Sequence, residues 1–376
     1  MKGRDKLYKQ FVKNDRILNS VHHANYKKAR NEVNRMIKKA KDEYFQKQFG
    51  NCNGDTRKMW RVLNNAMKRK SKKSKLPNFV TVPSTNGKLS KTNCKQSIAN
   101  SMNKHFSTIG KKLANKLKST NTKFSDYLKN PNSKNFFLYE AEEVEVKNLI
   151  FDLVLGKSVG IDENPPVVIK WGEPVLTPVL TKLFNKCVAE GVYPDFLKIA
   201  KVIPIFKGGD VNEENSYRTI SILTQFNRIF EKLLHKRLYS FISPHLYKKQ
   251  FGFQPKNSTH HAVLDLKEHV LDNCSKKLIS CILFLDLKKA FDTVSHEILL
   301  QKLEYYGVRG IALKLVESYL TNRYQQTSVD GYLSILELIE WGVPQGSVLG
   351  PLLLFLLTIY PLFQIWLLGC SLTIPS

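Results

Sequence analysis

The most constraining stretch of this chain is an uncharged apolar run, LISCILFL at residues 278–285, that ends in an aspartate, Asp286. Such a run predicts a buried strand, and a second acid, Asp292, follows it beside the aromatic Phe291. A carboxylate at the end of a rigid strand offers a hard oxygen ligand to a divalent cation with little conformational freedom. The same placement also serves a turn or a helix cap, so Asp286 alone does not decide between them.

Charge divides the rest of the chain. Of 376 residues with a formal net charge of +27, the whole excess lies in residues 1–135, while residues 136–376 carry as many acids as bases. That asymmetry favours a polyanion partner for the first third; a solvated basic linker is the plainer alternative. The six cysteines are scattered with no CxxC pair or finger spacing, which suits a reduced, intracellular protein in the nucleus or cytoplasm. MKGRDKLYKQF, at the N-terminus, has no apolar signal core. Residues 351–376 contain no charge and are long enough to span a bilayer, but Pro361 and the lack of basic anchors argue against a membrane segment.

Periodicity supplies the coarse organisation. Tyr26, Ala29, Val33, Met36, Ala40 and Tyr44 recur at helical steps, predicting an amphipathic helix with a basic opposite face. Trp60, Leu63 and Met67 predict a second helical piece, and residues 97–117 a third. KRKSKKSK at 68–75 reads as a solvated basic loop or a phosphate contact. Residues 119–135, rich in Ser, Asn, Lys and Pro, read as a linker and put a domain boundary near residue 135. Beyond it, helical patterns at 142–155, 178–189, 222–242, 259–273 and 295–306 interleave with strands at 199–206 and 278–285, an α/β or α+β arrangement. The spacing of Tyr44, Trp60 and Phe79 predicts core packing rather than stacking on bases, and Cys281 reads as a small buried hydrophobe. His22-His23 and His260-His261 lack a Cys or acidic cluster at ligand spacing and read as surface or packing residues.

A site that joins nucleotides needs divalent metal, in-line geometry and neutralised phosphates. VIPIFKGGD followed by NSYRTIS sets Lys207 and Arg218 around a strand turn, where two cations could clamp a triphosphate. GVPQGSVLGP at 342–351 makes a tight loop that lets backbone approach a ligand, with Gln345 offering a donor and an acceptor.

On these blocks, residues 143–352 resemble the reverse transcriptase of non-LTR (LINE, jockey-like) retrotransposons: GKSVGID, AKVIPIFKGGD, NSYRTISIL, RIFEKLLHKRL, QFGFQPKNSTHHAV, FLDLKKAFDTV and GVPQGSVLGPLL stand in the family's order. The resemblance implies an α+β fold with the fingers and partial palm of a right-hand polymerase, preceded by a basic, mainly helical region that binds nucleic acid. It implies an RNA-directed DNA polymerase with Mg²⁺ as cofactor, dNTP as substrate, and an RNA template, a DNA primer and the element's own RNA as partners. No small-molecule cofactor is implied. Asp286 matches the first metal-binding, catalytic aspartate. Phe291 matches the ring under the incoming sugar, which would clash with a 2′-hydroxyl. Lys207 and Arg218 match the triphosphate contacts, and Gln345 the loop residue beside nucleotide and template. Asp292 lies beyond the metal position and takes a structural role.

The departures matter as much. Thr219 stands where the family has proline in YRP, and Gln254 where QFGF is often followed by arginine. The aromatic-Ala-Asp-Asp hairpin expected after the GVPQGS loop does not occur: the last aspartate is Asp330 and the last acid Glu340. The thumb is also missing. A two-metal site with one carboxylate loses most of its metal binding. The expectation is therefore a polymerase fragment, 136–350, truncated within the palm and inactive by itself, with 351–376 an out-of-frame or aberrant apolar tail. The alternative is a non-catalytic nucleic-acid-binding remnant of a mobile element.

Overall fold

The computed structural model describes residues 2–13, 20–67, 76–83, 89–116, 126, 131–246, 249–284 and 286–358. The basic run at 68–75 and the tail from 359 lie outside the described residues. Two compact units emerge, Met1–Lys73 and Ser74–Ser376.

The first unit is helical: α1 (Lys2–Lys13), α2 (Val21–Gly50) and α3 (Thr56–Ala66). Ser20 caps α2 by accepting from the His23 N–H at 3.2 Å. Phe11 of α1 is buried and stacks on Tyr26 of α2 at 5.9 Å. No residue of α2 is buried. Tyr44 and Trp60 are exposed, which corrects the expected core packing: the helices bearing them have too few apolar partners to cover those rings.

The second unit opens with a hairpin, β1 (Val80–Pro83) and β2 (Leu89–Thr92), and then α4 (Lys95–Ala114). Helices α5 (Glu143–Phe151), α6 (Pro166–Trp171) and α7 (Glu173–Glu190) follow. The main sheet takes β3 (Ile199–Phe206) and β4 (Tyr217–Ile222). Four helices come next: α8 (Gln225–Ile242), α9 (Thr259–Ser275), α10 (His296–Tyr305) and α11 (Gly310–Leu320). The sheet is completed by β5 (Arg323–Val329), β6 (Tyr332–Leu333) and β7 (Glu337–Ile339), ahead of α12 (Gly350–Thr358). Its order is β4-β3-β5-β6, with β7 also on β5; β3 pairs β4 antiparallel and β5 parallel.

Helix α4 covers one face of that sheet. Ile98, Met102 and Phe106 pack against Val202, Tyr217 and Val329. Asn103, fully buried, donates to the Gln325 and Ile335 carbonyls and accepts from Gln325 Nε2 at 3.1 Å and Thr327 Oγ1 at 3.0 Å. Helix α4 and the sheet thus belong to the same compact unit. Charge counts alone miss this, because α4 carries its lysines on one side and an apolar stripe on the other. Within the expected linker the Asn132 N–H donates to the Tyr305 carbonyl, and just beyond it the Phe136 N–H donates to the Gly307 carbonyl.

The expected buried strand at 278–285 is corrected. Residues 278–284 form no strand, Leu285 lies outside the described residues, and Ile279, Cys281, Leu283 and Phe284 are exposed. A strand exists through ladder hydrogen bonds to a neighbour, and none of the described strands runs beside this segment.

Candidate functional site

Three pieces of chain converge, each shaped by its own local chemistry. The first is the β3–β4 hairpin. Ile205 pairs with Arg218, and the Lys207 N–H donates to the Ser216 carbonyl at 2.8 Å. Lys207 follows Ile205 by one pleat, so Lys207 and Arg218 share a face as diagonal neighbours. Both are exposed. The opposite face carries Val202, Phe206 and Tyr217 against α4, which leaves the cations on the open side.

The second piece is the loop at 342–350. Gly342 has φ +87°, and a Cβ there would lie 2.7 Å from the Phe291 carbonyl oxygen. Gly346 has φ +124°, and a Cβ there would lie 2.6 Å from the Ser221 carbonyl oxygen. Only glycine fits at either point. The loop is therefore wedged between the backbone of residues 291–292 and strand β4. Val343 N–H donates to the Phe291 carbonyl and Ser221 N–H to the Gln345 carbonyl, each at 2.8 Å. His296 Nε2 donates to the Gly342 carbonyl at 2.7 Å.

The third piece is 286–294. Phe291 is half-buried; its ring meets Phe253 edge-on at 6.4 Å. Lys289 Nζ donates to the Tyr217 carbonyl at 3.4 Å, tying this segment to β4. Burial holds the Lys289 ammonium below its usual range; Asp292 opposes that shift, and Lys207 and Lys288 add to it. Burial pushes the Asp292 carboxyl up, against the pull of Lys289.

The backbone accordingly links Lys207, Arg218, Phe291 and Gln345 in one framework. Asp286 is exposed and outside any strand. Among the described residues no group of three metal-ligating side chains comes together. Asp286 is exposed and Asp292 half-buried, and with no third acid, His or Cys grouped with them the donors described here do not make up a complete two-metal site.

Sequence reading missed Lys289, Asn103 and Glu231. Glu231 is 1% exposed on α8, and its carboxylate accepts from the Val348 N–H at 2.6 Å. Its signal was present: an acid set among Ile229, Phe230, Leu233 and Leu234, where a solvated side chain has no place.

Comparison with known proteins points to the same family. Residues 205–374 match the family described as "Reverse transcriptase (RNA-dependent DNA polymerase)". The chain is 34% identical over 231 residues to the RNA-directed DNA polymerase from mobile element jockey of Drosophila melanogaster, covering 61% of this chain and 25% of that one. It is 34% identical over 218 residues to a probable RNA-directed DNA polymerase from transposon BS of the same fly, covering 56% and 23%. A putative 115 kDa protein in the type-1 retrotransposable element R1DM, also from that fly, is 28% identical over 213 residues, 56% of this chain and 20% of its own length. The chain thus spans about a quarter or less of the length of each of these three relatives. No helix among the described residues is long and apolar enough to cross a membrane.

Proposed function

The chain carries a reverse transcriptase domain related to those of jockey and other non-LTR retrotransposons, and from that premise we propose that residues 199–352 form the nucleotide-facing part of an RNA-directed DNA polymerase. In this reading Lys207 and Arg218 face the triphosphate of an incoming dNTP. Phe291 lies under its sugar and selects against a 2′-hydroxyl. Gln345 sits beside nucleotide and template. Asp286 supplies one ligand to the Mg²⁺ that the family uses. The observation that carries the reading is the loop at 342–350, which hydrogen-bonds both the Phe291 carbonyl and strand β4, the strand of Arg218.

An RNA template, a DNA primer and the element's RNA are the partners, with phosphates met chiefly by charge and shape rather than sequence. The exposed, basic α2, with Tyr44 open on its surface, supports such contacts in the N-terminal unit. An intracellular site of action, nuclear or cytoplasmic, goes with that chemistry. A second reading, a nucleic-acid-binding remnant without catalysis, is favoured by the exposed Asp286 and by the lack, among the described residues, of any group of three metal-ligating side chains.

Because the described residues bring together too few metal donors for a two-metal site, residues 1–376 by themselves are expected to bind primer–template and not extend it. The check is primer extension on an RNA template with Mg²⁺ or Mn²⁺, alongside binding of the same duplex at rising salt. Incorporation that Asp286→Ala abolishes would overturn the inactivity of this chain. Binding indifferent to salt would overturn the nucleic-acid role.

A further inference from the structure

Behind the 342–350 loop lies a buried polar network that the nucleotide contacts do not use. Glu231 Oε2 accepts from the Val348 N–H at 2.6 Å, and Oε1 accepts from the Tyr319 hydroxyl at 2.7 Å. Tyr319 comes from α11 and is fully buried. Arg323, at the start of β5, lies over the Tyr319 ring at 4.6 Å, donates to the Tyr319 carbonyl at 2.9 Å, and supplies opposite charge to Glu231. Asn227, one turn before Glu231, accepts from the Tyr193 hydroxyl at 2.6 Å. Residues from α8, α11 and β5 and the loop amide of Val348 therefore meet around one carboxylate.

Burying a carboxylate is costly unless hydrogen bonds and opposite charge offset the lost hydration. An apolar residue would fill this core position without that cost. What the carboxylate offers and an apolar side chain cannot is an acceptor for a loop amide. Among the described residues it is the one carboxylate that hydrogen-bonds the backbone of 342–350. Its partner, Val348, lies just beyond Gln345 in the same loop. The far side of the loop is held by the Ser221 N–H on the Gln345 carbonyl. With the Val343 N–H on the Phe291 carbonyl, the loop is thus gripped before, at and after Gln345.

We infer that Glu231 is a positioning residue for the 342–350 loop: its carboxylate, steadied by Tyr319 and Arg323, fixes Val348 and so sets where Gln345 stands relative to Phe291 and Arg218. The link to nucleotide rests on the reading of Gln345 given above; the link to loop position does not.

Hydrogen exchange on residues 1–376, followed by peptide, separates the two. Losing the carboxylate acceptor in Glu231→Ala should speed exchange in peptides over 343–350 about tenfold or more, while peptides over α4 and β3 keep their protection. Glu231→Gln, which retains an acceptor, should restore most of that protection. Tyr319→Phe should give an intermediate rate. In parallel, binding of dTTP should weaken in Glu231→Ala and recover in Glu231→Gln.

Unchanged loop exchange in Glu231→Ala would overturn the inference. So would uniform loosening of every peptide, which marks a purely structural acid, or a Glu231→Gln protein no better than Glu231→Ala. Should Glu231→Ala not fold, Tyr319→Phe decides: faster exchange confined to the loop supports the inference, and no local change overturns it. If the wild-type chain fails to bind dTTP, the nucleotide reading falls while the exchange result still decides the loop.

Discussion

The loop at 342–350 and the stretch at 278–287 both hold residues the proposed chemistry needs, and the fold treats them in opposite ways. The loop has no regular structure, yet Val343 and Val348 donate their amides, and Gly342 and Gln345 accept at their carbonyls, to partners on β4, α8, α10 and the 291–294 segment. The stretch has the composition of a core strand, yet Leu283 and Leu287 are exposed and no ladder holds it. Backbone geometry is fixed where hydrogen-bond partners arrive from elsewhere, whatever the local hydrophobicity. An irregular loop can be held by hydrogen bonds from several elements, while an apolar run with the composition of a core strand takes no place in the described sheet.

The hardest test of that contrast is Gly342→Ala. Its Cβ would meet backbone atoms of Phe291 and Asp292, which cannot step aside as a side chain could, and its φ is +87°. A loss of about 2–4 kcal/mol in urea unfolding is expected, from left-handed strain plus the collision. A loss below about 0.5 kcal/mol would mean that the loop is not seated against Phe291, and the contrast would collapse.

How much of this was legible beforehand follows the same division. Strand β3 and helices α7 to α10 showed in their own periodicity, and the loop in its glycines and prolines. The pair Lys207 and Arg218 was readable because one hairpin carries both. What was not readable depends on partners far along the chain. Asn103 meets Gln325 across 222 residues, and Glu231 meets Val348 across 117. Nothing near either residue reports those bonds. The run at 278–285 misled for the converse reason: its pattern promised a neighbour that the described sheet does not supply.

A milder test uses acid and base. Burial raises the Glu231 carboxyl above its ordinary 4.5, although Val348, Tyr319 and Arg323 pull the other way. A raised carboxyl contributes stability that is present below that ordinary value and lost as pH rises through the folded value. The stability of wild type relative to Glu231→Gln should therefore be greatest in acid and shrink as the pH rises. Glu145 should show the opposite sign. Its burial also favours the neutral acid, but hydrogen bonds from Arg237 and Lys236 outweigh that and hold the carboxyl below 4.5. Its contribution is present above that value and lost as pH falls, so wild type should gain on Glu145→Gln as the pH rises from strong acid. Melting temperatures of the three proteins across pH check both slopes. Parallel curves would show that neither carboxylate is held as described.

The smallest expected effect falls on the apolar run. Leu283 is 53% exposed. Leu283→Ser should change unfolding free energy by no more than about 0.5 kcal/mol, because little apolar contact is lost. The same change at a buried leucine would remove burial worth about 1.5–3 kcal/mol and leave a hydroxyl to satisfy. The two cases are far enough apart for one urea titration to separate them. Binding of an apolar dye should fall in the variant, since the substitution removes part of an exposed patch that also includes Ile279, Ile282 and Leu287. A cost in the buried range would mean that this stretch finds a covering partner in solution, and that it is held as firmly as the loop.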